Sequence, residues 1–290
     1  MMRSIAEIIK YAEERRLSMP DAVAALDSAA SGLSAKDIRG KMAARLNDMR
    51  RSVNEAMVSE TAGKLVGQTG SLLGEYAANS PLSGPFITRA SEIALDVATY
   101  NAAMGRIVAA PTAGSCGILP GLLFSWEEYR GGDDADEKPT DALIIAGAVG
   151  EVIANRATLA GAEGGCQAEC GAAAAMGAGA LVFLQGGDAK MISSAVAITM
   201  KSILGLVCDP VGGLVECPCV KRNGTLVAIG AISADMALAG IESLIPADEV
   251  IDAMGQVGRS IPPTLRETSK AGLAVTPTAK RVMRELLERH

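Results

Sequence analysis

The residues of this 290-residue chain best suited to hold a metal are six cysteines and one histidine, and five of the cysteines fall between Glu163 and Asn223. They form two groups, Gly165-Cys166-Gln167-Ala168-Glu169-Cys170-Gly171 and Cys208-Asp209-Pro210 running on to Cys217-Pro218-Cys219-Val220-Lys221-Arg222-Asn223. Thiolates select zinc, copper(I) or iron–sulfur clusters over harder ions. The usual zinc patterns, paired C-x2-C or mixed Cys/His, are missing: the pairs here are C-x3-C and C-x-C, and the sole histidine is the terminal His290. Cys166 and Cys170, four apart, share one face of a helix, whereas Cys217 and Cys219 flank Pro218 and are expected on irregular chain. Cys208 and Cys219 stand beside prolines and near glycines, where a loop can aim backbone N–H groups at inorganic sulfide. The expected ligands are Cys170, Cys208 and Cys219, with Cys116, Cys166 and Cys217 open as replacements. Three such ligands would leave one iron of a four-iron cluster without protein sulfur, free to act as a Lewis acid on a hydroxyl; four would make an electron carrier. The plainer alternative is that these cysteines are small buried hydrophobes.

A second stretch with chemical potential is Pro111-Thr112-Ala113-Gly114-Ser115-Cys116-Gly117, which leads into an apolar helix. Free amides and hydroxyls at a helix entrance make a ready anion site, so Thr112, Ala113, Gly114 and Ser115 are candidate binders of a substrate carboxylate. An ordinary corner capped by Ser115 is the competing explanation. Lys64, in the glycine-rich run from Thr61 to Ser71, is a further candidate cation for the same group, although that run lacks the order of a phosphate loop. The acidic loop from Gly131 to Pro139 lacks EF-hand spacing and is expected to be solvated.

The elements that must position these residues read as helices. Residues 4–30 suggest two short helices divided near Pro20, residues 34–60 a long one, and residues 88–108 another. Five more are expected over 140–161, 166–185, 189–206, 225–243 and 247–258, with a charged terminal helix over 279–290. No β-alternation or βαβ rhythm interrupts them. The expectation is a mainly α, single multi-helix catalytic domain with Gly/Pro-rich loops carrying the site, residues 1–60 being an N-terminal helical arm of that domain and 61–290 its iron–sulfur-binding body. Hydrophobic residues make up 49% of the chain but aromatics only 3%, so small and aliphatic side chains must fill the core and helices must approach closely. A net charge of −6 with no basic, aromatic-laced block argues against nucleic-acid binding. The uncharged runs at 107–126 and 170–187 are interrupted by Pro and Gly and read as buried core, not membrane spans. No signal peptide is visible at Met1-Met2-Arg3, and six cysteines then read as ligands or reduced thiols.

From about Lys64 onward the chain resembles the alpha chain of the two-chain bacterial iron–sulfur L-serine dehydratases. The similarity rests on Arg106 with Ala110-Pro111-Thr112-Ala113-Gly114-Ser115-Cys116-Gly117, on Glu163-Gly164-Gly165-Cys166-Gln167-Ala168-Glu169, and on Cys208-Asp209-Pro210 with Pro218-Cys219-Val220-Lys221-Arg222-Asn223. The resemblance implies a cytoplasmic, largely helical catalytic chain with an oxygen-sensitive [4Fe–4S] cluster on three cysteines, completed by a separate beta chain. Its reaction would be elimination of water from L-serine, giving pyruvate and ammonia. Single-chain relatives carry the first cluster cysteine at the position of Ala174, so that role would shift one turn to Cys170. They also carry a cysteine near the C-terminus, where this chain ends Glu288-Arg289-His290. His290 is expected to be solvated, so the base for the α-proton is expected from the partner chain. An L-cysteine desulfidase-type lyase and a non-enzymatic iron–sulfur protein are the alternatives, separable by a substrate panel and by the response of the cluster's EPR spectrum to substrate.

Overall fold

Serines set the starts of the first three helices. In this computed structural model, which describes residues 2–130 and 138–288, the hydroxyls of Ser4, Ser18 and Ser34 accept hydrogen bonds from the N–H groups of Glu7, Asp21 and Asp37. Each satisfies an otherwise orphaned donor, and α1 (Ile5–Arg15), α2 (Met19–Ser31) and α3 (Ala35–Val58) follow where periodicity places them. These helices lie against later parts of the chain. The Met2 N–H donates to Glu151 at 2.7 Å, Arg39 pairs with Asp141 at 3.1 Å, and Val23, Leu46 and Met49 enter the main hydrophobic core.

Beyond α3 the glycine-rich segment forms a short α4 (Gly70–Tyr76), which the sequence does not signal. Thr69 offers it no side-chain cap; the Asp96 carboxylate of α5 (Gly84–Ala102) takes the Gly70 and Ser71 N–H groups instead. Helix α5 starts four residues before the expected 88, because Pro85 suits a first turn, and stops at Ala102 short of the expected 108.

The rest of the fold is α6 (Ile118–Arg130), α7 (Lys138–Arg156), α8 (Gly161–Gly164), a π turn (Gln167–Gly171), α9 (Ala172–Leu184), α10 (Ala189–Ser202), α11 (Cys219–Leu238), α12 (Ala247–Ser260) and α13 (Pro277–Glu288). Residues 131–137 of the acidic loop and the terminal His290 lie outside the described residues. Helix α9 forms the centre, contacted by α6, α7, α10 and α11, and it has no polar face to spare: every residue except Phe183 is buried. Small side chains make this possible. A Cβ on Gly230 of α11 would sit 3.0 Å from the Ala174 carbonyl oxygen of α9, and one on Gly121 of α6 would sit 2.6 Å from that of Ala90 of α5. The run Gln167–Leu184 is the one described helix long and apolar enough to cross a membrane, and 89% of it is buried against its neighbours, as a core helix would be. The architecture is mainly α, as expected; among the described residues the only β pairing is a single bridge between Cys208 and Arg266.

One expectation is corrected. Helix α11 begins at Cys219, six residues before the expected 225, so Cys219 opens a helix and does not lie on irregular chain. Pro218 precedes the first turn, where no intrahelical N–H partner is required of it.

Candidate active site

The chain enters the site through glycine. Gly165 has φ +76°, a left-handed conformation, and a Cβ there would sit 2.7 Å from the Leu206 carbonyl oxygen. The π turn that follows carries Cys166 and Cys170 inward and is pinned by the fully buried Gln167. The Gln167 amide donates to Gly164 O at 2.9 Å and Met254 O at 3.1 Å, and its oxygen accepts the Gly205 N–H at 2.9 Å. One side chain thereby joins the first cysteine group, α12 and the strand of loop leading to Cys208.

Cys208 is fixed by its backbone, donating to Leu265 O at 2.9 Å and accepting from Glu267 N at 2.7 Å. Its neighbour Asp209, buried, accepts from Arg222 Nη2 at 3.0 Å and from the Leu273 N–H at 2.8 Å. Arg222 also donates to Val207 O at 2.9 Å and lies beside the Cys166 thiol. One turn into α11, Asn223 donates to Cys219 O at 2.9 Å and to Gly114 O at 2.7 Å, while its oxygen accepts the Gly117 N–H at 2.9 Å. Asn223 therefore ties the Cys219 turn to the 112–117 loop.

In that loop Ser115 is fully buried, and its hydroxyl bonds Thr112 O at 3.3 Å. Its side chain closes the turn, and Ser115 faces no solvent. The N–H groups of Ala113 and Gly114 meet no protein acceptor among the described residues. The Thr112 hydroxyl donates to Glu169 Oε1 at 2.8 Å, Glu169 Oε2 faces the Cys208 thiol at 3.8 Å, and the Cys170 thiol faces Gly114 O at 3.5 Å.

Cys170 and Cys208 thus lie beside Gly114 and Glu169, with Cys166 against Cys170 and with Cys219 near enough to feel the Cys166 and Glu169 charges. Burial and the Cys166, Glu169 and Cys219 charges push the Cys208 thiol far up. Burial and the Cys166 charge push Cys219 up to about 12. The contact between Cys166 and Cys170 raises the Cys170 thiol well above its ordinary value, while that same contact and the Arg222 guanidinium hold Cys166 low. Each thiol feels the charge of the others, so without a cation they resist ionising together. Among the described residues no three His, Cys, Asp or Glu side chains converge as ligands of one ion. A multi-iron cluster spreads its ligand sulfurs wider than a single ion does.

Three sequence candidates stand apart. Cys116 is buried, with its thiol toward Val97 O at 4.0 Å and raised to about 12 by burial. Cys217 packs with Leu65 beside Val66, Ala98 and Val220. Lys64 has an exposed side chain, and its backbone N–H, with those of Leu65 and Val66, binds the buried Glu216 carboxylate at 2.9, 2.7 and 3.1 Å. Glu169, Gln167, Arg222 and Asn223 sit inside quoted motifs yet received no role from the sequence. The available signal was polarity: Gln167 and Asn223 interrupt stretches of small or apolar residues.

Residues 3–274 match a family model described as serine dehydratase alpha chain. A Bacillus subtilis (strain 168) protein named "Probable L-serine dehydratase, alpha chain" is 42% identical over 288 residues, covering 99% of this chain and 95% of that protein. The "L-serine dehydratase, alpha chain" of Peptoniphilus asaccharolyticus is 40% identical, with 99% of each chain covered. The "Probable L-serine dehydratase, alpha chain" of Latilactobacillus sakei is 56% identical over 180 residues, 61% of this chain and 84% of that one.

Proposed function

The chain belongs to the serine dehydratase alpha-chain family, and from that premise we propose that it is the catalytic chain of a cytoplasmic enzyme that eliminates water from L-serine, yielding pyruvate and ammonia. A beta chain completes it. The observation that carries this is the gathering of Cys170, Cys208 and Cys219 beside a turn with two free amides, at Ala113 and Gly114.

The donor set fits an iron–sulfur cluster. The thiols are reduced, buried and mutually repelling on ionisation, a balance that a cationic assembly relieves. Cys170, Cys208 and Cys219 would hold a [4Fe–4S] cluster, which when bound supplies a Lewis-acidic iron for the leaving hydroxyl. The protein's own residues do the rest. Ala113 N–H and Gly114 N–H hold the substrate carboxylate, the Thr112 hydroxyl beside them holds Glu169, and Ser115 and Asn223 keep that turn in shape. Elimination also needs a base for the α-proton. No histidine occurs among the described residues, and the beta chain supplies the proton acceptor. The released aminoacrylate hydrolyses without further help.

Anaerobic reconstitution with iron and sulfide, with and without the beta chain, tests this. The expected result is a retained cluster and pyruvate formed from L-serine only when both chains are present. Full turnover by the alpha chain alone, failure to retain iron, or preference for L-cysteine would overturn it.

A further inference from the structure

Three buried or half-buried carboxylates lie on the cysteine segments, and two of them are balanced. Asp209 has Arg222 and the Leu273 N–H; Glu216 has three amides. Glu169 has one hydroxyl, from Thr112, and one thiol, from Cys208. Among the described residues no Lys, Arg or His pairs with it, and the charge of another carboxylate, Glu267, bears on it. A carboxylate so placed costs free energy unless a cation arrives.

Two glycines let the backbone come close to it. Gly161 and Gly114 flank the carboxylate: a Cβ on Gly161 would overlap Glu169 Oε2 and lie 3.3 Å from the Cys208 sulfur, and one on Gly114 would lie 3.3 Å from Glu169 Oε1. The carboxylate also stands between the free amides at 113 and 114 and the Cys208 thiol. A β-hydroxy-α-amino acid lying with its carboxylate on those amides and its hydroxyl toward the cysteines would carry its nitrogen past Glu169.

We propose that Glu169 receives the α-ammonium group of the substrate and so makes the site specific for amino acids over simple hydroxy acids. This rests on the carboxylate position described above. With the 113–114 amides and the cysteine side, it gives three points of attachment around the α-carbon, enough to select one enantiomer. Glu169 is a substrate-binding group here and transfers no proton.

The test uses the assembled two-chain enzyme with Glu169 intact, replaced by Gln, or shortened to Asp. L-Alanine and propionate differ only by the ammonium group, and neither has a hydroxyl to eliminate. Their dissociation constants are measured by calorimetry, beside kcat and KM for L-serine. The wild-type enzyme is expected to bind L-alanine on the order of 10-fold or more tighter than propionate, the size of a charge-assisted hydrogen bond. Glu169→Gln should bring that ratio close to one with propionate binding unchanged, and raise KM for L-serine more than it lowers kcat. Glu169→Asp, which keeps the charge but withdraws it, should reduce the ratio at least ~5-fold by loss of part of the same bond. If Glu169→Gln does not assemble, Glu169→Asp decides alone. A wild-type ratio in the variant that assembles overturns the proposal even if turnover falls, because Glu169 would then only support Cys208. Absence of L-serine turnover in the wild-type control would instead count against the proposed function.

Discussion

Glu216 and Glu169 are both carboxylates facing glycine-containing turns, and the protein treats them in opposite ways. Glu216 is buried and accepts three successive backbone N–H groups, from Lys64, Leu65 and Val66. Gly63 comes so near that a Cβ would overlap the carboxylate. Nothing about Glu216 is left over for a ligand: it fastens the 61–70 segment to the stretch that carries Cys217 and Cys219. Glu169 is half-buried, holds one hydroxyl, and feels the charge of a second carboxylate. A carboxylate whose oxygens are fully occupied by its own chain is a structural tie, and one left short of partners is kept for something that comes and goes.

The largest expected effects break the Glu169 side at its sulfurs. Cys208→Ala or Cys170→Ala should abolish cluster retention and lower pyruvate formation about 1000-fold or more, since a Lewis acid supplies several kcal/mol to such a step. Cys116→Ala, whose thiol points to Val97 O, should leave bound iron unchanged in the same assay. Iron retained after loss of Cys208 would move the ligand role to Cys166. On the other side, Glu216→Ala strands three N–H groups and should cost about 3 kcal/mol in urea unfolding, with early proteolysis between α3 and α5. The L-alanine to propionate ratio should not change in that variant; if it does, the two carboxylates are not separable in role.

How much of this contrast was readable beforehand follows from what a linear pattern can carry. Apolar periodicity and Pro20 at a first turn locate α1 to α3 closely, because both signals are local. Helix α4 was missed because its cap comes from Asp96, on another helix. Helix α11 begins six residues before the expected 225 because Pro218, which signals irregular chain, instead immediately precedes its first turn. Cysteine spacing points to segments that the fold brings together, but not to their local form: Cys217 packs beside Val66, while Cys219 opens α11 and does not lie on irregular chain. Nothing in the sequence distinguishes Glu169 from Glu216, since the difference lies in which amides and hydroxyls the fold brings to each.

Glycine substitution sharpens the contrast at smaller cost. Gly63→Ala forces a methyl against a carboxylate that three amides hold still, and should destabilise by about 1–3 kcal/mol, in the range of overpacking. Gly114→Ala meets Glu169 Oε1 at 3.3 Å, an overlap that a small shift relieves, so its stability should fall less while its binding of L-alanine weakens. Paired thermal unfolding and calorimetry on the two variants check the ordering; a larger stability loss at Gly114 would mean that Glu169 is the more rigidly held of the two.

Asp96 lies between the extremes and gives the smallest effect. It accepts the Gly70 and Ser71 N–H groups, yet burial first and the Glu92 charge next raise its pKa to about 6, against the pull of those amides and of Arg89. A raised carboxyl pKa means that the folded protein binds the proton more tightly than the unfolded chain does. Between its ordinary value of 3.8 and about 6, its contribution to stability therefore falls as pH rises; the penalty on the charged form is complete above that window and gone below it. Wild type should accordingly gain on Asp96→Asn as the pH is lowered from 7 to 4, read as the difference between their urea midpoints at each pH. Glu169 and the other titrating groups are common to both proteins and cancel in that difference. A drift in the opposite direction would show the amides outweighing burial and Glu92, and would place Asp96 with Glu216 as a fully satisfied tie.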